Sequence, residues 1–351
     1  MMLFGIKDII GLDIGSKHIK VVQLKESKGS HSLERLGIAT LQPELIVDGS
    51  ILDSTRVVEA IKELISNTGI KAKDVTLSVS GHSSVIIKRV SLPQMTEAEL
   101  DEQIRFEAEQ YIPFDIEDVS LDFQILGPAE EQNMMDVIIV AVKKDKISEY
   151  VTVVKDAGLN PVVVDVDAFA LENMFELNYE IKEGENIALV NIGASMININ
   201  ILKGGISVFT RDSSLGGNLL TEALQREFTI SYANAEKLKQ EETIEGVSPE
   251  DVKAVLNSAF EDIITEISRS FDYFRDTTNY ENIDQIILSG GVALTKDFAQ
   301  ILSERTGVPV TIAEPFKNII VPDSFDQEYL TKISPLVSIA VGLAMRRIGD
   351  K

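Results

Sequence analysis

The sequence predicts an α/β protein built from two similar halves, with a small α+β subdomain inserted in the first half. Three observations lead to this prediction. A strand–turn–strand segment near the start recurs near the middle of the chain, apolar runs alternate with amphipathic helical patterns, and residues 75–145 follow a different order of elements. Near-continuous apolar runs between helices are typical of sheets that are covered on both faces.

The composition agrees with a folded protein of two domains. The chain has 351 residues, of which 44% are hydrophobic, and this is enough for two separate cores. Its 33 lysines and arginines stand against 56 aspartates and glutamates, and the resulting net charge of -23 disfavours nucleic acid as a partner. The sequence has no cysteine, which excludes disulfides, thiolate metal sites and thiol catalysis and is typical of a reducing compartment.

The beginning of the chain has no basic region before an apolar stretch, and no small-residue cleavage site follows it. The longest apolar windows, such as residues 336–345, are shorter than the roughly 20 residues needed to span a bilayer. We therefore expect a cytoplasmic protein without direct membrane insertion, which is peripheral to the inner membrane only through a partner. His18, His31 and His82 have no metal-ligand spacing and are interpreted as structural or surface residues.

The internal repeat relates residues 12–21 to residues 190–199. In each copy an apolar strand reaches a small polar residue, then a glycine and a second small residue, and then alternates apolar and polar residues with period two. This pattern predicts a strand, a tight turn and a returning strand. An amphipathic helix over 55–67 follows the first copy, and another helix starts near residue 216 after the second.

The remaining elements are marked by caps and periodicity. The order predicted for the insert is a strand over 75–79, a strand over 85–90, a helix over 97–110 and strands over 119–125 and 135–142. Thr96 and Glu99 form a capping box for that helix. A long helix is predicted from Pro249 to about residue 276, because Ser248 can cap it and its apolar residues recur every three or four positions.

The first turn, Asp13-Ile14-Gly15-Ser16-Lys17, has the residue types of a phosphate site. Glycine allows a ligand to approach the backbone closely, successive N–H groups can surround a phosphate, and Lys17 adds a positive charge. Asp13 ends the strand, where its carboxylate can hold the waters around Mg²⁺. A plain structural turn explains this single motif equally well, because many strand turns contain Asp-x-Gly.

Two further motifs make the prediction more specific. The second turn, with Gly193 and Ala194, would face the first across a pseudo-twofold axis, so that both could hold a polyphosphate. Near the C-terminus, Gly290 and Gly291 follow an apolar strand and precede a helix start. Paired glycines leave room for a flat group against bare backbone.

These three motifs, in this order, resemble the phosphate-1, phosphate-2 and adenosine motifs of the actin, Hsp70 and sugar kinase superfamily, over nearly the whole chain. Residues 104–114 and 164–171 most resemble the PilM family of type IV pilus assembly proteins. The resemblance implies an actin-like (ribonuclease H-like) duplicated fold with an FtsA-type α+β insert, the SHS2 domain, in place of the usual actin insert. The expected division is a first half of residues 1–74, 146–175 and 331–351, an insert of residues 75–145, and a second half of residues 176–330 that includes a nucleotide-side subdomain.

Carried over residue by residue, the resemblance implies an ATP and Mg²⁺ site. The expected phosphate contacts are Gly15, Ser16, Lys17, Gly193 and Ala194, with Gly216, Gly217 and Asn218 near the ribose and phosphates and Asp13 near the metal. The expected adenosine contacts are Glu236, Lys239, Gly290, Gly291 and Val292. For Glu236 and Lys239 an ordinary pair of charges on a helix surface is the alternative.

Asn191 departs from the superfamily pattern, which usually has aspartate at the start of the second phosphate motif. An amide can hydrogen-bond a water but cannot act as a base. ATP binding should survive this change more easily than hydrolysis. We therefore expect at most a weak ATPase, assign no catalytic residue, and expect the nucleotide to act as a clamp that closes the two halves.

The family resemblance also implies partners. A PilM-like protein is expected to bind the N-terminal cytoplasmic peptide of PilN and so to couple the PilN/PilO complex to the pilus motor ATPases of twitching motility. A homo-oligomeric ring is a candidate arrangement in such a machine. The peptide is expected in a groove that involves the insert, and the candidate lining residues are Phe106, Tyr111, Ile112 and Phe114. Each of them can equally be part of the insert's own core.

Two other functions share this fold. An FtsA-like filament-forming protein usually ends in an amphipathic membrane helix, whereas this sequence stops directly after its last predicted core helix. A small-molecule kinase needs a carboxylate that activates a substrate hydroxyl, for which Asp165 or Asp167 are candidates. Both carboxylates also suit a strand end or a helix cap.

Overall fold

The computed structural model describes residues 9–129, 131–278 and 282–350. The first eight residues, on which the expectation about an export signal rests, lie outside this range. The strands are β1 (Ile9–Ile14), β2 (His18–Ser27), β3 (Ser30–Thr40), β4 (Ile46–Val47), β5 (Ser50–Ile51), β6 (Asp74–Val79), β7 (Val85–Pro93), β8 (Val119–Pro128), β9 (Met134–Lys143), β10 (Asn160–Val166), β11 (Asn186–Ile192), β12 (Ile197–Lys203), β13 (Ile206–Ser213), β14 (Gln285–Ser289), β15 (Val310–Ile312) and β16 (Ile319–Ile320).

The helices are α1 (Ser54–Thr68), α2 (Glu97–Ala108), α3 (Lys144–Asp156), α4 (Asp167–Asn178), α5 (Asn218–Phe228), α6 (Tyr232–Lys239), α7 (Pro249–Thr277), α8 (Phe298–Thr306), α9 (Gln327–Ile333) and α10 (Ser338–Met345). Short 3-10 helices lie at Ile116–Asp118, Gly291–Leu294 and Ser334–Val337.

Two sheets with the same central arrangement form the body of the protein. Their strand orders are β10-β6-β1-β2-β3-β16 and β13-β12-β11-β14-β15. β1 pairs antiparallel with β2 and parallel with β6, and β11 pairs in the same way with β12 and β14. Asp13 lies opposite Lys20, as Asn191 lies opposite Asn198. The predicted duplication is confirmed.

Helix α10 is buried on every side and packs against α4, β1 and β2. The approach is so close that it requires glycine. A Cβ atom on Gly342 would lie 1.7 Å from the carbonyl oxygen of Ala170 in α4, and one on Gly11 would lie 2.2 Å from the carbonyl oxygen of Ala340. Helices α4 and α10 therefore form a tightly packed pair beneath the central strands.

The long helix and its caps are confirmed. α7 begins after Ser248, whose side chain accepts a hydrogen bond from the backbone N–H of Asp251. Its buried face packs on the second sheet through large residues that recur every three or four positions, namely Phe260, Ile263, Ile267, Phe271 and Phe274. This spacing places them on one side of the helix, as the sequence indicates.

The insert folds around a core of its own. Its sheet has the order β7-β9-β8, and α2 covers one face of it. The predicted capping box is present, because the side chain of Thr96 accepts from the N–H of Glu99 and the carboxylate of Glu99 accepts from the N–H of Thr96. The buried face of α2 packs against the sheet and consists of Leu100, Ile104 and Ala108.

The sheet topology corrects two of the expected boundaries. The strand at 75–79, expected in the insert, is β6 and lies between β1 and β10 in the first sheet. Its polar residues Thr76 and Ser78 are buried together with its apolar residues, as expected for a strand inside a sheet. β16, expected in the second half, pairs with β3 of the first sheet. No local sequence pattern reveals a two-residue strand whose partner strand is so distant in the chain. We keep the other expected boundaries as our proposed division into two halves and an insert.

Glu172 of α4 makes the stability of the fold depend on pH. Asn200 of β12 donates to its carboxyl oxygen at 3.2 Å. Burial raises the pKa of Glu172 from 4.5 to about 8, and the charge of Glu176 adds to this. Between these two pH values the folded chain keeps a proton that the unfolded chain releases, so stability falls as pH rises through this window.

The Glu172→Gln variant is therefore expected to be more stable than the wild type at pH 9, by on the order of a few kcal/mol, and nearly equal to it at pH 4.5. Urea unfolding at both pH values measures this difference. Glu222→Gln, at an exposed position of α5, is the matched control. An equal difference between wild type and Glu172→Gln at both pH values would contradict the assignment.

Candidate functional site

A cavity of about 630 Å³ lies in the cleft between the two halves, and we call it the central cavity. Both glycine turns, the helix α6 and the segment after β14 contribute to its wall. The predicted residues that line it are Asp13, Gly15, Ser16, Lys17, Gly193, Ala194, Gly217, Asn218, Glu236, Lys239, Gly290, Gly291 and Val292. The structure therefore brings together three motifs that are far apart in the sequence.

Gly216 is the predicted site residue that does not line the central cavity. A Cβ atom on it would lie 2.6 Å from the carbonyl oxygen of Ala194. Gly216 therefore allows the start of α5 to pack directly on the second turn. Its role is to position the neighbouring Gly217 and Asn218.

The backbone N–H groups of several predicted phosphate residues hold the turns together. Gly15 donates to the carbonyl of His18 at 3.1 Å, and Gly193 donates to that of Met196 at 2.8 Å. Gly217 donates to the carbonyl of Gly193 at 2.8 Å. These glycines shape the turns, so an anion in the cavity would have to be bound by the residues after them and by side chains.

Lys20 is a functional candidate that the sequence analysis missed. Its ammonium donates to Oδ2 of Asp13 at 2.9 Å, and it lines the central cavity together with His18. Alternate residues of a strand face the same side. The alternation of side chains that begins at His18 could therefore have identified Lys20 from the sequence. Burial, followed by the charges of Lys20 and Lys17, lowers the pKa of His18 to about 3, so this imidazole is neutral at pH 7.

Lys17 reaches across the cleft and pairs with the carboxylate of Glu236 on α6. Glu236 also accepts from Thr221 at 2.5 Å and from Lys239 at 3.1 Å. The ammonium of Lys239 donates in addition to the carbonyl of Gly217 at 3.0 Å. Burial alone would raise the pKa of Glu236, but Lys239, Lys17 and Thr221 hold it below its usual value. Glu236 and Lys239 are thus part of a buried network and are not an ordinary pair of charges on a helix surface.

Two carboxylates, those of Asp13 and Asp167, also line the central cavity. Asp13 is the penultimate residue of β1, and Asp167 begins α4, where the hydroxyl of Ser78 donates to it at 2.5 Å. Burial raises the pKa of Asp167 to about 6, and the charge of Asp13 contributes. Among the described residues, no group of three or more histidines or carboxylates is arranged to hold a metal ion. The carboxylates of Asp13 and Asp167 suit Mg²⁺, which usually keeps several waters and is bound through one or two carboxylates together with substrate phosphates.

The central cavity fits a nucleoside polyphosphate. Its volume lies in the usual range of ligand sites, and the ammonium groups of Lys17, Lys20 and Lys239 supply positive charge. Gly290 has a φ of 87°, and a Cβ atom on it would lie 2.3 Å from the carbonyl oxygen of Ile192. Only glycine fits there, and it presents the backbone of Gly291 and Val292 to the cavity.

The four peptide candidates of the insert have different environments. Phe106 on α2 is 70% exposed, and Tyr111 is 37% exposed. Phe114 is half-buried, with the ammonium of Lys143 4.5 Å from its ring centre. Ile112 is only 6% exposed and belongs to the core of the insert. For Ile112 this placement favours the alternative reading of the sequence, that it is part of the insert's own core.

A second cavity, of about 640 Å³, lies between the insert and the second half, and we call it the side groove. β7 and β13 are the outer strands of their sheets, and both line it. None of the four insert candidates is among its lining residues. Val79, Ser80 and Asp167 line both the side groove and the central cavity, so the two sites share a wall.

The comparisons with known proteins agree with this geometry. A family model described as type IV pilus assembly protein PilM matches residues 11–348. A chain in a solved PilM-PilN type IV pilus biogenesis complex is 27% identical, with a TM-score of 0.85 over 97% of this chain and 99% of that one. No helix in the part of the chain that the structure describes is long and apolar enough to cross a membrane.

More distant structures are similar in fold alone. The ethanolamine utilization protein EutJ from Carboxydothermus hydrogenoformans is 16% identical, with a TM-score of 0.59 over 97% of this chain and 90% of that one. MreB5 of Spiroplasma citri, solved with AMPPNP, is 15% identical, with a TM-score of 0.53 over 96% of this chain and 94% of that one. With the duplicated sheets, these similarities confirm the predicted actin-like fold.

Proposed function

Because this chain belongs to the family of type IV pilus assembly protein PilM, we propose that it is a cytoplasmic ATP-binding scaffold that binds the N-terminal cytoplasmic peptide of PilN. The observation that carries the proposal is the shared wall between the central cavity and the side groove. This shared wall supports the proposal of a nucleotide site beside a peptide site.

ATP is the proposed ligand of the central cavity. Its phosphates would lie near Lys20 and the two glycine turns, and its nucleoside near Lys239 and the backbone after Gly290. Mg²⁺ bound with the nucleotide would neutralise part of the phosphate charge, and Asp13 and Asp167 would hold its waters. Asn191 cannot remove a proton from water, so we propose slow turnover and a structural role for the nucleotide.

The side groove is the proposed peptide site. Outer strands present unpaired backbone groups, and an extended peptide can pair with them while its alternate side chains enter pockets. Residues of both β7 and β13 line the groove. Tyr273 of α7 lies at its rim, is 49% exposed and packs against Phe209. The exposed ring of Phe106, with Tyr111 and Phe114, remains the alternative surface.

Through PilN the scaffold would connect indirectly to PilO and to the pilus motor ATPases, and a homo-oligomeric ring would suit such a machine. The net charge of -23 disfavours nucleic acid and anionic lipid as direct partners. Membrane association would therefore come through PilN. These connections are proposals that follow from family membership and charge.

Calorimetric titration with a synthetic peptide of the cytoplasmic N-terminus of PilN, with and without Mg²⁺ and ATP, tests the proposed function. The wild type is expected to bind the peptide, and the ATP is expected to be largely intact afterwards by chromatography. Tyr273→Ser is expected to weaken peptide binding about tenfold, because it removes an aromatic wall of the groove. Tyr329→Ser on α9, where the tyrosine is 47% exposed, is the matched control.

Each failure has a separate meaning. Loss of binding in Phe106→Ser with normal binding in Tyr273→Ser would move the peptide site to the outer face of the insert. No heat with the peptide in any nucleotide state would contradict the scaffold function. Rapid conversion of ATP to ADP would contradict slow turnover.

A further inference from the structure

A continuous chain of hydrogen bonds joins the central cavity to the root of the insert. Nδ2 of Asn191 donates to Oδ1 of Asn198 at 2.9 Å, and Nδ2 of Asn198 donates to Oδ1 of Asp212 at 2.9 Å. The other oxygen of Asp212 accepts from the backbone N–H of Gly81 at 2.7 Å. We call these four residues the cross-cleft relay.

The side chains of the relay lie in two different sites. Asn191 and Asn198 line the central cavity, whereas Asp212 lines the side groove. Gly81 belongs to the short connection between β6 and β7, so it is held by a residue of the opposite half. Movement of one half against the other therefore acts directly on the segment from which β7 starts.

The direction of the hydrogen bonds explains why residue 191 is an asparagine. Both oxygens of Asp212 accept, one from Asn198 and one from the N–H of Gly81, so Asn198 turns its NH₂ group towards Asp212 and its oxygen towards residue 191. Burial raises the pKa of Asp212, while these two hydrogen bonds act in the opposite direction. Only a donor at 191 can complete the chain, and Asn191 supplies it while its own oxygen accepts from Ser289 at 3.3 Å. An aspartate at 191 would place two acceptors face to face.

The far end of the relay is a backbone position that tolerates little change. Gly81 has a φ of 125°, a region that side-chain-bearing residues rarely adopt. The hydroxyl of Ser80 contacts the sulfur of Met196, from the second turn, at 3.9 Å. Gly81 and its neighbour are thus held against the second turn and β13 together.

We propose that the cross-cleft relay couples occupancy of the central cavity to the position of β7, and thereby to peptide affinity in the side groove. This inference rests on the proposed function, because it takes ATP as the ligand of the cavity and the PilN peptide as the ligand of the groove. A nucleotide that orders Asn191 and closes the cleft strengthens the hydrogen bond from the backbone N–H of Gly81 to Asp212. By linkage, the peptide then raises the affinity for ATP by the same factor.

The variant that isolates the relay is Asp212→Asn. An asparagine has nearly the same shape, but it offers one acceptor oxygen and one NH₂ group. With that oxygen on the N–H of Gly81, its NH₂ group faces the NH₂ group of Asn198, so the order of hydrogen bonds in the wild-type relay is broken. Asp284→Asn is the matched control. Asp284 also accepts a backbone N–H, from Asn186 at 2.8 Å, and lies in the same half away from both cavities.

The first test uses the full-length protein with ATP and Mg²⁺ and needs no peptide. Hydrogen–deuterium exchange of residues 81–93 is expected to slow when ATP binds to the wild type and to Asp284→Asn. In Asp212→Asn the same segment is expected to show less than half of this protection, while ATP binds within about threefold of the wild-type affinity. Equal protection in Asp212→Asn and the wild type would overturn the relay, as would the absence of protection in the wild type at saturating ATP.

The second test measures the coupling factor, which is the ratio of peptide dissociation constants without and with ATP. A factor of at least about five is expected for the wild type and the control, and a factor close to one for Asp212→Asn. An unchanged factor in Asp212→Asn would overturn the proposal. If the wild type binds no ATP, the proposed nucleotide function fails as well. If it binds ATP and no peptide, the exchange experiment still decides the relay.

Discussion

Replacing Gly342 with alanine is expected to destabilise the folded state by about 3 kcal/mol or more, the largest stability effect we expect of a single methyl group in this chain. The new Cβ atom would lie 1.7 Å from the carbonyl oxygen of Ala170 and 2.6 Å from its carbonyl carbon. Both are backbone atoms of α4, so no side-chain rotation relieves the contact. Helix α10 would have to move away from α4 and from the first sheet.

Urea unfolding followed by circular dichroism measures this effect. Gly158→Ala is the matched control, because its φ is 81° and no atom lies within 4 Å of the added carbon. We expect the control to cost only about 1 kcal/mol, from the unfavourable backbone conformation. A loss in Gly342→Ala no larger than that of the control would mean that the packing of α10 adapts easily, contrary to our account.

Replacing Lys20 with methionine is expected to weaken ATP binding about 100-fold, or about 2.7 kcal/mol. The ammonium of Lys20 lies 2.9 Å from the carboxylate of Asp13 and lines the central cavity. Its removal takes away a cation and leaves the charge of Asp13 uncompensated where the phosphates are proposed to bind. Lys17→Met is expected to cost only about tenfold, because Glu236, the carboxylate that Lys17 pairs with, keeps Lys239 as a second cation.

Calorimetric titration with ATP and Mg²⁺ compares the two variants. Lys25→Met, on the same strand but exposed to solvent, is expected to bind ATP like the wild type. Thermal melting of each variant separates loss of folding from loss of affinity. A larger effect in Lys17→Met than in Lys20→Met would restore Lys17, the lysine selected from the sequence, as the main phosphate cation.

Much of the architecture was predictable because its determinants are local. The capping box at Thr96, the cap at Ser248 and the apolar spacing of α7 act within one or two helical turns, so the residue order alone reveals them. The internal repeat was equally visible, since each copy carries its own turn glycine. These features led to the duplicated fold, the insert and the three motifs that line the central cavity.

Other features depend on contacts between distant residues, and no local pattern encodes them. The pairing of β16 with β3, the bond between Lys17 and Glu236, and the relay from Asn191 to Gly81 join segments that are many residues apart. From the sequence Asn191 is recognisable only as a residue that cannot act as a base, because its donor role becomes visible when Asn198 and Asp212 lie beside it. The sequence by itself determined which groups are available and the fold that gathers them, whereas the tertiary structure decided their partners, since a hydrogen bond or ion pair depends on distance in space.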